Sequence, residues 1–275
     1  MRDARPRTLP QRKCAIVAVV LGAAMIALLT RPAAADELTD ALIRYVLRDF
    51  AGAITRLTPL AERGNAVAQL KLGVIHARGE GVARDDEAAL RWFSAAAGQG
   101  QSEGQYELGV AYRDGLGTPV DAKLAMHWFQ RAAEGGAPHA CNAIGEMYLD
   151  HPDVSQDFAA ALVWFLRGAQ LDDASSLYNI GVRYLLGQGV APDEIEAYKW
   201  FDLAAAAGLG ELRTKALNLT QSIGERLTPM QVARAKSAAQ DWLRTHDAAA
   251  IVPELLLHIG RSTADTARLR REWIE

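Results

Sequence analysis

The chain has 275 residues, half of them hydrophobic and 23% charged, with a formal net charge of −3. That is globular composition in a chain long enough to bury a sizeable core, which excludes wholesale disorder. Two cysteines exclude a disulfide framework or a cysteine-ligated zinc fold, and the mildly acidic balance argues against a nucleic-acid partner.

Residues 1–13 carry Arg2, Arg5, Arg7, Arg12 and Lys13 against one acid, Asp3. A 16-residue apolar run follows from Cys14 to Leu29, then Arg31-Pro32 and Ala33-Ala34-Ala35 before Asp36-Glu37. A positive head, an apolar core and an A-x-A exit predict a signal peptide over residues 1–35, cut after Ala35. The mature protein is then expected in the periplasm or outside the cell. The alternative is an uncleaved inner-membrane anchor, although the apolar run falls just short of the usual spanning length. Membrane contact is expected only if residues 14–29 stay as that anchor. Cleavage leaves 24 basic and 32 acidic side chains and a single cysteine, Cys141, so the mature fold must rest on packing alone.

Beyond this leader the chain repeats itself every 36 residues. Trp92, Trp128, Trp164 and Trp200 keep that spacing, and each is followed by Phe: Phe93, Phe129, Phe165 and Phe201. Ala89, Ala125, Ala161 and Ala197 stand three residues before each Trp. Gly73, Gly109, Gly145 and Gly181, each preceded by Leu or Ile, keep the same period, as do Asp85, Asp121, Asp157 and Asp193. The columns define four units: 66–100, 101–136, 137–172 and 173–210. Residues 36–65 form a half-unit before them, with Asp49, Ala53, Ala61 and Gly64 in register and Arg56 at the Trp position. An atypical end unit is what a cap requires.

Each unit predicts two helices, roughly 66–77 and 86–98 in the first, around the breaker loop Gly79-Glu80-Gly81-Val82. Ala89, Trp92, Phe93 and Ala96 fall on one face of the second helix, so the aromatics are expected in the core between units. Glycine inside the first helix costs about 1 kcal/mol of propensity, and close helix contact is the expected compensation. Gly100, Gly136 and Gly208 are expected to end the second helices, with Asp172 breaking that column. The third unit also departs at its loop, where Asp150-His151-Pro152-Asp153-Val154 replaces the Gly-x-Gly-Val pattern and must take another path. Residues 211–245 predict a helical cap, with Thr228-Pro229 starting its last helix. Residues 246–275 read as a tail with one short helix near 264–273.

The pattern L-G-x-x-Y-x-x-G-x-G-V, then D, then A-x-x-W-F-x-x-A-A-x-x-G resembles the Sel-one-like repeat (SLR) family, a relative of tetratricopeptide repeats. The resemblance covers about residues 38–210. His76 stands for the usual Tyr in the first unit, and the cysteine pair of the disulfide-rich subgroup is not matched. The resemblance implies an all-α fold, a right-handed α/α solenoid of helix-turn-helix repeats with N- and C-terminal capping helices.

By analogy with tetratricopeptide repeats, the first helices line a concave groove. Its expected lining is Leu70, Tyr106, Asn142 and Tyr178 in one column and Val74, Val110, Glu146 and Val182 in the next. Arg113 lies in a third column and, with Glu146, is placed to orient a partner. Val67, Glu103, His139 and Ser175 form the rim. This mix suits an extended peptide or partner helix with apolar anchors.

Enzymatic signatures are sparse: the sequence holds no S-x-x-K, H-E-x-x-H, P-loop or dinucleotide glycine pattern, and its one G-x-S-x-G match, Gly100-Gln101-Ser102-Glu103-Gly104, falls at the junction of two helical repeat units rather than at a strand-to-helix turn. No catalytic residue, cofactor or metal is expected. The Asp150–Asp153 cluster reads as a solvated loop rather than a metal site, and Cys141 as a small apolar filler. The expected function is an exported, non-catalytic scaffold, adaptor or regulator holding a protein or peptide. The alternative is a peptidoglycan- or β-lactam-binding cell-wall enzyme or accessory. It would rest on Glu103, His139 and Glu146, and a cell-wall polymer would then be its ligand.

Overall fold

A computed structural model describes residues 33–245; residues 1–32 of the expected signal peptide or anchor, and the tail helix expected near 264–273, lie outside the described residues. Those residues form twelve helices and no strand. The half-unit holds α1 (Ala33–Val46) and α2 (Phe50–Glu62). The four units hold α3 (Ala66–Arg78) with α4 (Asp86–Gly98), α5 (Ser102–Asp114) with α6 (Ala122–Glu134), α7 (Pro138–Asp150) with α8 (Phe158–Gln170), and α9 (Ala174–Leu186) with α10 (Glu194–Ala207). The C-terminal cap is α11 (Gly210–Gly224) and α12 (Pro229–Thr245). From α1 to α11 each helix packs on its chain neighbours, and α12 folds back onto α10, so the fold is a helical solenoid.

The aspartate column caps the second helices. Asp49, Asp85, Asp121, Asp157 and Asp193 are the N-caps of α2, α4, α6, α8 and α10, and each side chain accepts from a first-turn backbone N–H. Such a cap stabilises a helix by about 1 kcal/mol. The backbone N–H of the same aspartate closes the loop in every full unit. Asp85, Asp121, Asp157 and Asp193 donate to the carbonyls of His76, Tyr112, Tyr148 and Tyr184 at 3.0, 2.8, 2.9 and 3.0 Å.

The glycine column meets the phenylalanine column. A Cβ on Gly73, Gly109, Gly145 or Gly181 would come 2.5, 2.6, 2.5 or 2.8 Å from the ring of Phe93, Phe129, Phe165 or Phe201. Each first helix therefore lies directly on the aromatic ring of its own second helix, and all four rings are buried. Close packing offsets the propensity cost of glycine.

The tryptophans differ from expectation. Trp92, Trp128 and Trp164 are only half-buried, each packed against the edge of the preceding unit's core. Trp200 is 1% exposed because the cap covers it: its ring meets Trp242 of α12 edge-on at 4.6 Å. α12 packs on α10 and closes over Trp200, a cover that the three interior tryptophans lack.

The helix ends follow the glycines with two exceptions. Gly64, Gly100 and Gly136 take φ of 89°, 80° and 82°, and Asp172 holds the same left-handed conformation at 59°. The column is broken in residue type and kept in backbone. Gly208 corrects the expectation at the other end. Its φ is −74° and ψ 161°, and the left-handed turn moves to Gly210, which opens α11. A cap rather than a fifth unit follows there, so the chain leaves α10 along a different path. Thr228 starts α12 as expected: its Oγ accepts from the Gln231 N–H while its own N–H donates to Gln231 Oε1 at 2.9 Å.

Candidate functional site

The first helices place their outward side chains in one strip that crosses unit boundaries. Asp173 is its most buried polar anchor. As the N-cap of α9 it accepts the N–H and hydroxyl of Ser176, both at 2.7 Å, through Oδ2. Its Oδ1 lies 2.8 Å from His139 Nδ1 on α7, so the bond ties the third unit to the fourth. The Asp173 side chain is 1% exposed and that of His139 68%. The Asp173 hydrogen bond raises the His139 pKa, with Asp173, Glu103 and Glu107 adding negative charge against the opposing effect of partial burial.

A chain of amides runs beside it. Asn179 Nδ2 donates to Asn142 Oδ1 at 2.9 Å, and Asn142 Nδ2 donates to Glu146 Oε1 at 2.8 Å. Tyr106 and Tyr178 flank this chain, half-buried against Phe129 and Phe201 with ring centroids 5.7 and 5.3 Å apart. Tyr106 also lies 6.1 Å from the His139 ring, and burial raises its phenol pKa.

Seven of the nine expected groove residues, Tyr106, Val110, Arg113, Asn142, Glu146, Tyr178 and Val182, are half-buried. Leu70 and Val74 are corrections. They are 6% and 8% exposed and pack with Ala89, Phe93, Ala96 and Leu108, so in the first unit these two columns belong to the core. Leu70 and Val74 pack together with Leu108 of α5, and at the Leu70 position the later units carry the larger or polar Tyr106, Asn142 and Tyr178. Arg113 is committed to its neighbour: Nε and Nη2 donate to Asp114 at 2.7 and 2.9 Å. The orienting role expected of it rests on what that pairing leaves over.

Three members of the strip escape the sequence columns: Asp173, Glu107 and Asn179. Glu107 lies close enough to Arg78, His139 and Lys71 to be stabilised by their charges, yet burial dominates and raises its pKa. The signal was there in part. Lys71, Glu107 and Asn179 form a polar column one residue after Leu70, Tyr106 and Tyr178, and only Ala143 interrupts it.

Outside the strip, Cys141 is fully buried and desolvation pushes its thiol up to about 11, so it stays protonated at neutral pH. In the loop of the third unit, His151 Nδ1 accepts from the Asp153 N–H at 3.2 Å. Among the described residues no three His, Cys, Asp or Glu side chains are grouped to hold a metal ion, and no helix is long and apolar enough to cross a membrane.

Residues 66–101, 102–136, 138–173 and 174–209 each match the Sel1 repeat. The chain belongs to the Sel1 repeat family. Sel1 repeats generally mediate protein–protein interaction, on a fold that is generally a non-catalytic scaffold. A Sel1 repeat protein from Oxalobacter formigenes is 33% identical, over 61% of this chain and 49% of its own, with a TM-score of 0.51. A protective antigen of uropathogenic Escherichia coli with an SLR fold is 22% identical, over 84% of this chain and 57% of its own, with a TM-score of 0.45. An immunity protein from Pseudomonas aeruginosa is 19% identical, over 62% of this chain and 73% of its own, with a TM-score of 0.44. The chain spans about half the length of the first two. No curated protein gives a match.

Proposed function

We propose that this Sel1 repeat protein is an exported scaffold or adaptor that holds an extended segment of a partner protein along its first-helix strip. The observation that carries this is the Asn179–Asn142–Glu146 chain flanked by Tyr106 and Tyr178. It runs from the fourth unit into the third and offers amide and carboxylate groups between two aromatic surfaces. An extended peptide has one N–H and one C=O per residue to satisfy, and amides meet both needs. The tyrosines supply contact area at low entropic cost. Val110 and Val182 give the apolar ground beneath, and Arg113 and Glu146 set opposite charges along it.

Export is supported by the charge and hydropathy pattern of residues 1–35. Cleavage after Ala35 would remove the first three residues of α1, which begins at Ala33. N-terminal sequencing of the exported protein is expected to begin at Asp36.

The functional test is affinity capture from periplasmic extract with residues 36–275 as bait, against a Tyr106→Ala/Tyr178→Ala double variant. A protein held by the first bait and lost from the second is the expected result. Identical capture by both baits moves the binding face elsewhere. Turnover of peptidoglycan or nitrocefin that disappears in Glu146→Ala would replace the scaffold with a cell-wall enzyme.

A further inference from the structure

The loop of the third unit departs from its three counterparts, and a cleft opens beside it. In units one, two and four the second loop glycine lies against the first turn of the preceding second helix. A Cβ on Gly81 would come 2.6 Å from Phe50 Cβ, one on Gly117 2.4 Å from the Asp86 carbonyl oxygen, and one on Gly189 2.5 Å from the Phe158 carbonyl oxygen. The same position in unit three is Asp153. Its side chain does not fit such a contact, so the loop stands off from α6. The space between them is a cleft of about 400 Å³. Met126, Tyr148 and Val154 supply apolar lining, with Lys123 and His127 on the α6 side and Asp153 on the loop side.

We propose that this cleft is a second protein-binding site, which takes one apolar side chain of a partner segment flanked by carboxylates. The volume is in the range of pockets that enclose small ligands. Met126 gives the lining an adaptable surface. The charge preference comes from α6. Lys123, His127 and Arg131 stand at i, i+4 and i+8, all exposed. The matching positions are Glu87, Arg91 and Ala95 in unit one, Ala159, Val163 and Arg167 in unit three, and Ile195, Lys199 and Leu203 in unit four. Only unit two places a basic-type side chain at all three, on a chain whose net charge is negative. The basic stripe and the cleft therefore coincide at the one loop that breaks the repeat. Asp153 on the opposite wall repels acids from its side and directs the partner's carboxylates toward α6. The site lies between the second helix α6, Tyr148 of α7 and the loop that follows, and shares no lining residue with the first-helix strip.

The test uses the full chain with 13C-labelled methionine methyls and three peptides: N-acetyl-Leu-Glu-Glu-amide, N-acetyl-Leu-Lys-Lys-amide and N-acetyl-Gly-Glu-Glu-amide. The expected result is a saturable shift of the Met126 methyl with Leu-Glu-Glu, while Met230 on α12 does not move. The other two peptides are expected to bind at least about tenfold more weakly, as is Leu-Glu-Glu to Lys123→Glu. A triple variant, His151→Gly/Pro152→Leu/Asp153→Gly, copies the loop of unit two, should close the cleft and should abolish the shift. The buried Met147 methyl reports that each variant remains folded. No saturable shift up to about 20 mM peptide, equal binding of the lysine peptide, or full binding by the closed-loop variant would each overturn the proposal.

Discussion

Units two and three share their helices and differ in their loop. In both, a first-helix glycine rests on the ring of the second-helix phenylalanine, Gly109 on Phe129 and Gly145 on Phe165. In both, an aspartate caps the second helix, and its N–H returns to the carbonyl of Tyr112 or Tyr148. Between these fixed points unit two passes through left-handed Gly115 and Gly117, at φ of 73° and 68°. Unit three instead leaves α7 through His151 at φ −69°. The contrast separates what defines a unit from what decorates it. The helix pair and the exit bond hold the period, and the path between them is free to change.

The largest test of that comparison is the aromatic core. Phe129→Ala and Phe165→Ala are each expected to destabilise the protein by about 3–5 kcal/mol, because both rings are fully buried against a glycine. Chemical denaturation of the two variants should give similar losses. A much smaller loss for Phe165 would mean that the altered loop has loosened the third helix pair. Trp128→Ala should cost less than its neighbour, about 2 kcal/mol, since that ring keeps one side in solvent.

A smaller effect is expected at the caps. Asp121→Ala and Asp157→Ala should each lose about 1 kcal/mol in thermal or chemical melts. An Asp157 variant as stable as the wild type would show that the two exits are alike in geometry and unlike in energy.

The smallest effect concerns the junction of units three and four, which has the His139–Asp173 bond and no equivalent between units two and three. His139 has a folded pKa above its ordinary value of 6.5. Its stabilising contribution is therefore complete below that ordinary value and is lost as pH rises through the folded value. Between about pH 6 and pH 8 the wild type should lose slightly more stability than His139→Gln. Equal pH profiles would remove this bond as a clasp between units.

Much of this was legible in the sequence because a repeat shows each requirement four times. The glycine column announces a close contact, the aspartate column an invariant place in the chain, and the aromatic pair a buried face. The partner of each glycine was not legible. Trp and Phe are adjacent in every copy, and only packing reveals that Phe meets the glycine while Trp sits at the seam. The candidate strip was half legible. Tyr106, Asn142, Glu146 and Tyr178 followed from the period, but Asn179 and Asp173 lie in other columns and join it through bonds to Asn142 and His139. Leu70 and Val74 keep the register of groove residues and are nevertheless core, since their fate depends on what covers them.

The sequence by itself determined the period, the helix pairs, the atypical ends and the one irregular loop. These depend on local chemistry: which residues cap a helix, break it, or place apolar side chains on one face. Tertiary structure alone decided which columns are buried, that Asp172 holds a glycine's conformation while Gly208 does not, and that Asp153 opens a cleft where three glycines close one. Each of those depends on a neighbouring helix that the column itself does not name, because burial and steric contact belong to pairs of elements rather than to either one.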